Sequence, residues 1–259
     1  MRLPFTKYHG TGNDFILIDN RSADITLSRE QVAFLCHRRF GIGADGLMLL
    51  EKVEEYDFRM VYFNADGGES TMCGNGGRCI VAFARNLGLI RNETTFLAVD
   101  GPHKAWFNDH DRVSLSMADV TSVENLKDCT RLNTGSPHLV YKVTDLCNYD
   151  VVGQGRMIRN RAEYQPDGIN VNFVEATREG LFVRTYERGV EDETYSCGTG
   201  VTAAAIANTG TATGSFNTQI ETPGGRLEVS FYKDQPDAAR EVVLTGPAVQ
   251  VFEGLAFLP

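Results

Sequence analysis

Two short segments share one plan, and they constrain the fold more than any other feature of this sequence. Cys73-Gly74-Asn75-Gly76 precedes an apolar run that ends near Gly88, and Cys197-Gly198-Thr199-Gly200 precedes a second run that ends near Gly210. A glycine after an apolar run is typical of a helix C-terminus. Each segment therefore predicts a thiol at the start of a helix. The cysteines stand 124 positions apart in a chain of 259 residues, which predicts two similar halves.

Many short strands are predicted around these two helices. Apolar stretches of strand length alternate with turn residues along most of the chain. Ser28-Arg29-Glu30-Gln31 predicts a capping box at the start of a further helix, and Gly41 predicts its end. The run after Cys197 is nearly all Ala, Val and Ile, and it predicts a helix buried on all sides. The pattern favours an α+β fold in which each half wraps an antiparallel sheet or barrel around its own central helix.

Charge and composition exclude several classes of function. The net charge is −9, and the chain lacks the clustered Lys and Arg that nucleic acid or an anionic membrane demands. No apolar run reaches the length of a membrane span. The first residues lack the apolar stretch of a signal peptide, so we expect a cytoplasmic protein whose six cysteines are reduced. No Cys/His spacing typical of structural zinc occurs, and no metal is expected.

A thiol at a helix N-terminus lies near free amide N–H groups and the positive end of the helix dipole. Both favour thiolate, and the same amides can bind a carboxylate. Two such thiols that face each other suit proton transfer on both faces of one carbon, which inverts a stereocentre. The other cysteines have no second feature and are expected to be structural. They stand at positions 36, 79, 129 and 147.

Six spaced motifs follow one another along the chain: Gly10-Thr11-Gly12-Asn13-Asp14-Phe15, Phe63-Asn64-Ala65-Asp66-Gly67, Cys73-Gly74-Asn75-Gly76, Gly135-Ser136-Pro137-His138, Tyr186-Glu187-Arg188-Gly189 and Cys197-Gly198-Thr199-Gly200. Together they resemble the motifs of the diaminopimelate epimerase family. The resemblance implies interconversion of LL- and meso-diaminopimelate without pyridoxal phosphate or metal, in lysine and peptidoglycan synthesis. It also implies two pseudo-symmetric halves that close over the substrate, with a short C-terminal strand at about 247–259 that returns to the first half. The polar segment 119–128 predicts a connector, and it places the boundary between residues 1–117 and residues 118–246.

The resemblance also implies a role for each matching residue. Cys73 and Cys197 match the acid/base pair, and His138 and Glu187 match residues that assist the thiols. The residues that match the binding site of the reacting α-carboxylate are Gly74, Asn75, Gly198 and Thr199. Those that match further substrate-binding residues are Asn13, Asn64, Asn170, Glu187 and Arg188. The chain departs from the family pattern at Ser136, at Gly46 and in the acidic segment 190–194.

Three other readings compete with this one. Proline and hydroxyproline racemases share the two-thiol logic, although the Glu187-Arg188 pair favours a substrate with a second charged end. The two thiols could instead form a redox switch, or the chain could bind an amino acid without turning it over. The expected partner is a small amino-acid substrate. No nucleic acid, membrane or cofactor is expected, and a homodimer is compatible with the sequence.

Overall fold

The computed structural model describes residues 2–258, which form two compact units. The first unit contains the chain up to Leu115 together with the segment from Pro247, and the second contains Ser116–Gly246. No helix of the described residues is long and apolar enough to span a membrane.

The first unit combines eight strands in sequence with two helices. Its helices are α1 (Arg29–Cys36) and α2 (Gly74–Asn86). Its strands are β1 (Arg2–Gly10), β2 (Asn13–Asp19), β3 (Gly46–Glu51), β4 (Arg59–Asn64), β5 (Glu69–Ser70), β6 (Glu93–Ala98), β7 (Gly101–Phe107) and β8 (Val113–Ser116).

The second unit repeats this arrangement, and the last strand of the chain pairs with β1 of the first unit. Its helices are α3 (Val151–Arg159) and α4 (Gly198–Asn208). The strands are β9 (Val123–Asn125), β10 (Thr130–Asn133), β11 (Pro137–Lys142), β12 (Asn170–Ala176), β13 (Leu181–Glu187), β14 (Asp192–Thr194), β15 (Gly214–Thr222), β16 (Gly225–Lys233), β17 (Arg240–Gly246) and, in the first unit, β18 (Val249–Phe257).

The strand pairings confirm the two similar halves. Along the first unit, β1–β2 is antiparallel, β2–β3 parallel, β3–β4 antiparallel and β4–β6 parallel. In the second unit β10–β11, β11–β12, β12–β13 and β13–β15 repeat these directions. Each strand thus has an equivalent nine places later, and α1 and α2 correspond to α3 and α4. The sheets are mixed, since the predicted antiparallel pairings are joined by parallel ones.

The buried cores follow the apolar pattern of the sequence. Residues Phe15–Ile18 of β2 are all buried, as a strand covered on both faces requires. Residues 200–207 of α4 are buried without exception, which confirms the helix predicted to be surrounded. Its Ala and Val side chains pack against the strands of the second unit.

Two local predictions were wrong. The capping box at Ser28 is present, but α1 ends at Cys36 instead of Gly41. His37 leaves helical geometry, and its Nδ1 accepts hydrogen bonds from the backbone N–H groups of Arg39 and Phe40, which fixes a turn there. The predicted polar connector, residues 119–128, contains the short strand β9.

Candidate active site

In the first unit, the ends of three neighbouring strands lie at the same edge of the sheet. Strand β2 begins at Asn13 and its parallel neighbour β3 begins at Gly46, whose register partner Asn64 ends the antiparallel β4. The side chain of Asn64 is exposed. Gly46 is tightly packed, because a Cβ there would lie 2.5 Å from Cε2 of Tyr62.

Cys73 is the N-cap of α2, as predicted. Its Sγ accepts a hydrogen bond from the backbone N–H of Gly76 at 3.3 Å and lies 3.8 Å from Oδ1 of Asn13. Gly76 leaves room for the Met48 side chain, because a Cβ at residue 76 would lie only 2.2 Å from Cε of Met48. The thiol is half-buried and sits where the N-terminal amides favour a negative charge.

The amide groups of Asn13 and Asn75 are oriented by their partners. Asn13 Nδ2 donates to Oδ2 of Asp45 at 2.7 Å, so its Oδ1 faces Cys73 and accepts from Nδ2 of Asn75 at 3.3 Å. The Oδ1 of Asn75 accepts from the guanidinium of Arg78 at 2.9 Å. The structure therefore brings together three of the residues predicted for the site, namely Asn13, Cys73 and Asn75.

Arg78 lies directly beneath this helix start and is fully buried. It donates to the backbone oxygen of Gly74 at 3.1 Å as well as to Asn75. Burial lowers the pKa of Arg78 to about 10, so the guanidinium stays charged near neutral pH. A buried cation at this place adds to the helix dipole and favours an anion at the start of α2.

A charged cluster supports the loop that carries Asn13. Arg38 donates to both carboxylate oxygens of Asp14, at 3.1 and 2.8 Å, and to Asp45 at 2.7 Å. The buried Lys7 lies 2.7 Å from Asp14. Burial alone raises the pKa of Asp14, but Arg38 and Lys7 outweigh it and lower the pKa to about 2. The Arg38 side chain is largely exposed to solvent and nevertheless forms ion pairs with both carboxylates.

The second unit presents its polar residues at the equivalent edge. His138 follows the first residue of β11, Asn170 begins the parallel β12, and Glu187 ends the antiparallel β13. The amide of Asn170 donates to Oγ of Ser136 at 2.9 Å and accepts from the backbone N–H of Arg188 at 3.0 Å. Asn170 thus braces the Ser136 loop against the strand end that carries Arg188.

Cys197 is the N-cap of α4 and is buried. Its Sγ lies 3.5 Å from the hydroxyl of Thr199, the position equivalent to Asn75. The backbone oxygen of Gly198 accepts a hydrogen bond from Thr202 at 2.9 Å, where Gly74 of the first unit accepts one from a cation. The two thiols therefore stand on the same scaffold with different charge beneath them.

His138 is completely buried, and Asn172 holds its ring. Nδ2 of Asn172 lies 3.0 Å from Nδ1 of His138, and Nε2 has no hydrogen-bond partner among residues 2–258. Burial, with a smaller effect of the Arg188 charge, lowers the pKa of His138 to about 3. The ring is therefore neutral at physiological pH.

Glu187 and the acidic segment after it form a hairpin. Thr194 donates to Oε2 of Glu187 at 3.0 Å, and β14 pairs with the end of β13. Within the segment, Glu193 forms a bidentate ion pair with Arg184 at 2.6 Å. Glu191 pairs with Arg159 at 3.0 Å, so arginines bind two acidic residues of this segment.

Comparison with known proteins identifies the family. The profile described as diaminopimelate epimerase matches residues 5–123 and 130–251. A relative of that name from Flavobacterium psychrophilum is 52% identical over 252 residues, which cover 95% of this chain and 97% of the relative. Another from Chlorobaculum tepidum is 43% identical and covers 95% of this chain and 98% of the relative. The chain belongs to the diaminopimelate epimerase family.

Solved structures confirm the fold expected of the diaminopimelate epimerase family. A PhzF-family phenazine biosynthesis protein from Bacillus anthracis has a TM-score of 0.80 at 14% identity, with full coverage of both chains. A hydroxyproline epimerase from Agrobacterium vitis has a TM-score of 0.67 at 15% identity and covers 98% of this chain and 92% of the other. Identities this low bear on the fold alone.

Three polar residues of this family member were missed from the sequence. Asp45 lay in a glycine-rich loop that resembles a phosphate loop only superficially, and Arg78 lay within an apolar helix. Asn172 was missed inside an otherwise apolar strand, although it stands two residues after Asn170 and therefore on the same face of β12. That spacing was the one available signal.

Proposed function

We propose that this chain interconverts LL- and meso-diaminopimelate by proton transfer at the α-carbon, with Cys73 and Cys197 as the two acid/base groups. Each unit presents one thiol as the N-cap of its long helix, next to a glycine, and this observation carries the proposal. Family membership supplies the substrate class. The diaminopimelate product would serve lysine and peptidoglycan synthesis in the cytoplasm.

One thiolate removes the α-proton and becomes a thiol, and the other thiol delivers its proton to the opposite face and becomes a thiolate. The carbanion between these steps requires strong electrostatic support, because the α-proton of an amino acid is a weak acid. The first amides of α2 and α4, at Gly74, Asn75, Gly198 and Thr199, are suited to hold the α-carboxylate. At the end of the reaction the two sulfurs have exchanged protonation states, so protons balance. The reaction requires neither metal nor pyridoxal phosphate.

The far end of the substrate carries a second ammonium and carboxylate. Arg188, with its planar fork of donors, suits that carboxylate, and the amides of Asn64 and Asn170 suit fixation of the polar groups. Glu187 and His138 are assigned to assist the thiols. A homodimer of this chain is a separate proposal, and the chemistry described here does not depend on it.

Incubation with LL-diaminopimelate followed by chiral chromatography tests the proposal. We expect conversion toward an LL/meso mixture, and no racemisation of L-proline under the same conditions. Turnover of proline without turnover of diaminopimelate would instead support the proline racemase reading. The Arg188→Lys variant should raise KM strongly, because a point charge replaces a bidentate fork; an unchanged KM would remove Arg188 from the substrate site.

A further inference from the structure

The strand registers match residues of the two units one to one. His138 is paired with the first residue of β12, as Phe15 is paired with the first residue of β3. The third residue of β12, Asn172, is paired with Thr185. The positions equivalent to His138, Asn172 and Thr185 are filled in the first unit by Phe15, Met48 and Tyr62.

The glycines of the two helix starts support this match. A Cβ at Gly76 would lie 2.2 Å from Cε of Met48, and one at Gly200 would lie 2.4 Å from Oδ1 of Asn172. The first unit thus fills this layer beneath its helix with apolar and aromatic groups. Because burial of polar groups costs free energy, packing alone does not explain why the second unit places a His, an Asn and a Thr there.

The amide of Asn172 can be oriented in only one way. Its Nδ2 lies 2.9 Å from the backbone oxygen of Leu139, which can only accept, so the amide nitrogen must face that oxygen. Thr185 donates its hydroxyl to Oδ1 at 2.9 Å. The second N–H of Asn172 therefore points to Nδ1 of His138, 3.0 Å away. Since Nδ1 accepts, the proton of the neutral ring is on Nε2.

We propose that Asn172 is a positioning residue that holds His138 as the neutral tautomer protonated at Nε2. Both ring nitrogens are then committed: Nδ1 to Asn172 and Nε2 to its own proton. His138 acts as a hydrogen-bond donor and does not take a proton from a thiol. The group that accepts this hydrogen bond from Nε2 is assigned on the basis of the proposed function: it is a thiolate or the substrate carboxylate.

The first test determines which nitrogen of His138 carries the proton in the wild-type protein. Two-bond ¹H–¹⁵N correlation spectra of protein labelled with ¹⁵N-histidine distinguish the two neutral tautomers and the imidazolium. The chain has five histidines, and the signals missing from the His138→Gln variant identify His138. We expect the pattern of the Nε2–H tautomer, unchanged from pH 5 to pH 8. A ring protonated at Nδ1, or one that titrates in this range, would overturn the proposal.

Two variants separate a positioning role from a structural one. Asn172→Met copies the first unit, so we expect a folded protein in which His138 no longer shows a single fixed tautomer and kcat is reduced about 10- to 100-fold. Thr185→Val removes a partner of the same amide but leaves the Leu139 contact, so the tautomer should stay. A fixed Nε2–H pattern in the Asn172→Met protein would refute the role of Asn172. These spectra are recorded without substrate, so their outcome does not depend on the proposed epimerase activity.

Discussion

Gly200 in the first turn of α4 lies against the side chain of Asn172, so closely that a Cβ at residue 200 would stand 2.4 Å from its Oδ1. Asn172 cannot move aside easily, because its amide bonds Leu139, His138 and Thr185. The second glycine of Cys197-Gly198-Thr199-Gly200 is therefore required by a close approach to a side chain.

The Gly200→Ala substitution should accordingly reduce the free energy of unfolding by about 1–3 kcal/mol, the usual cost of overpacking. The matched control is Gly76→Ala, where the obstructing atom is the terminal methyl of Met48, which can rotate away. We expect the control to cost less than about 1 kcal/mol. Urea unfolding of both variants measures the difference, and equal costs would contradict this account of the two glycines.

The stability of the protein should depend on His138 in mild acid. Burial lowers its pKa to about 3, whereas the ring in the unfolded chain takes up a proton below about pH 6.5. The unfolded state then binds more protons, so this residue reduces the free energy of unfolding by about 1.4 kcal/mol for each pH unit of acidification between about pH 6 and pH 4.

The double variant His138→Phe/Asn172→Met, which copies the first unit, should lack this contribution. Urea unfolding of both proteins at several pH values compares the two slopes, and effects of the remaining carboxylates cancel in the comparison. Parallel slopes would show that His138 does not resist protonation in the folded state.

Asp45 should matter for catalysis although it was not among the residues predicted for the site. It accepts from Nδ2 of Asn13 and thereby directs Oδ1 of Asn13 toward Cys73. The Asp45→Ala variant frees that amide, and we expect kcat/KM to fall about tenfold or more through misplacement of Asn13. Asp19→Ala removes a carboxylate of the same unit that pairs with the exposed Arg21, and it should leave kcat/KM unchanged. Similar losses in both variants would count against the role of Asp45.

Local sequence signals predicted the parts of the fold that local chemistry determines. The capping box at Ser28, the two cysteine N-caps and the fully buried α4 all depend on residues close in sequence. The end of α1 was wrong because a His37 side chain, and not a glycine, stabilises the turn after the helix.

Contacts between distant segments could not be predicted in the same way. Asp45 meets Asn13 across 32 positions, and Asn172 meets His138 across 34, each through a parallel strand pair that the sequence did not indicate. The expectation that both thiol helices point into one cleft stays a prediction, and it is the geometric core of the proposed mechanism.

The most direct test of that mechanism follows the α-hydrogen in deuterated water with LL-diaminopimelate as substrate. The wild-type protein should yield meso product that carries deuterium at the inverted carbon, while Cys73→Ala and Cys197→Ala should each lose epimerisation by about 10²–10⁴-fold or more. Circular dichroism of both variants verifies that they are folded. Near-normal turnover by either folded variant, or meso product without deuterium from the wild type, would contradict the two-thiol mechanism.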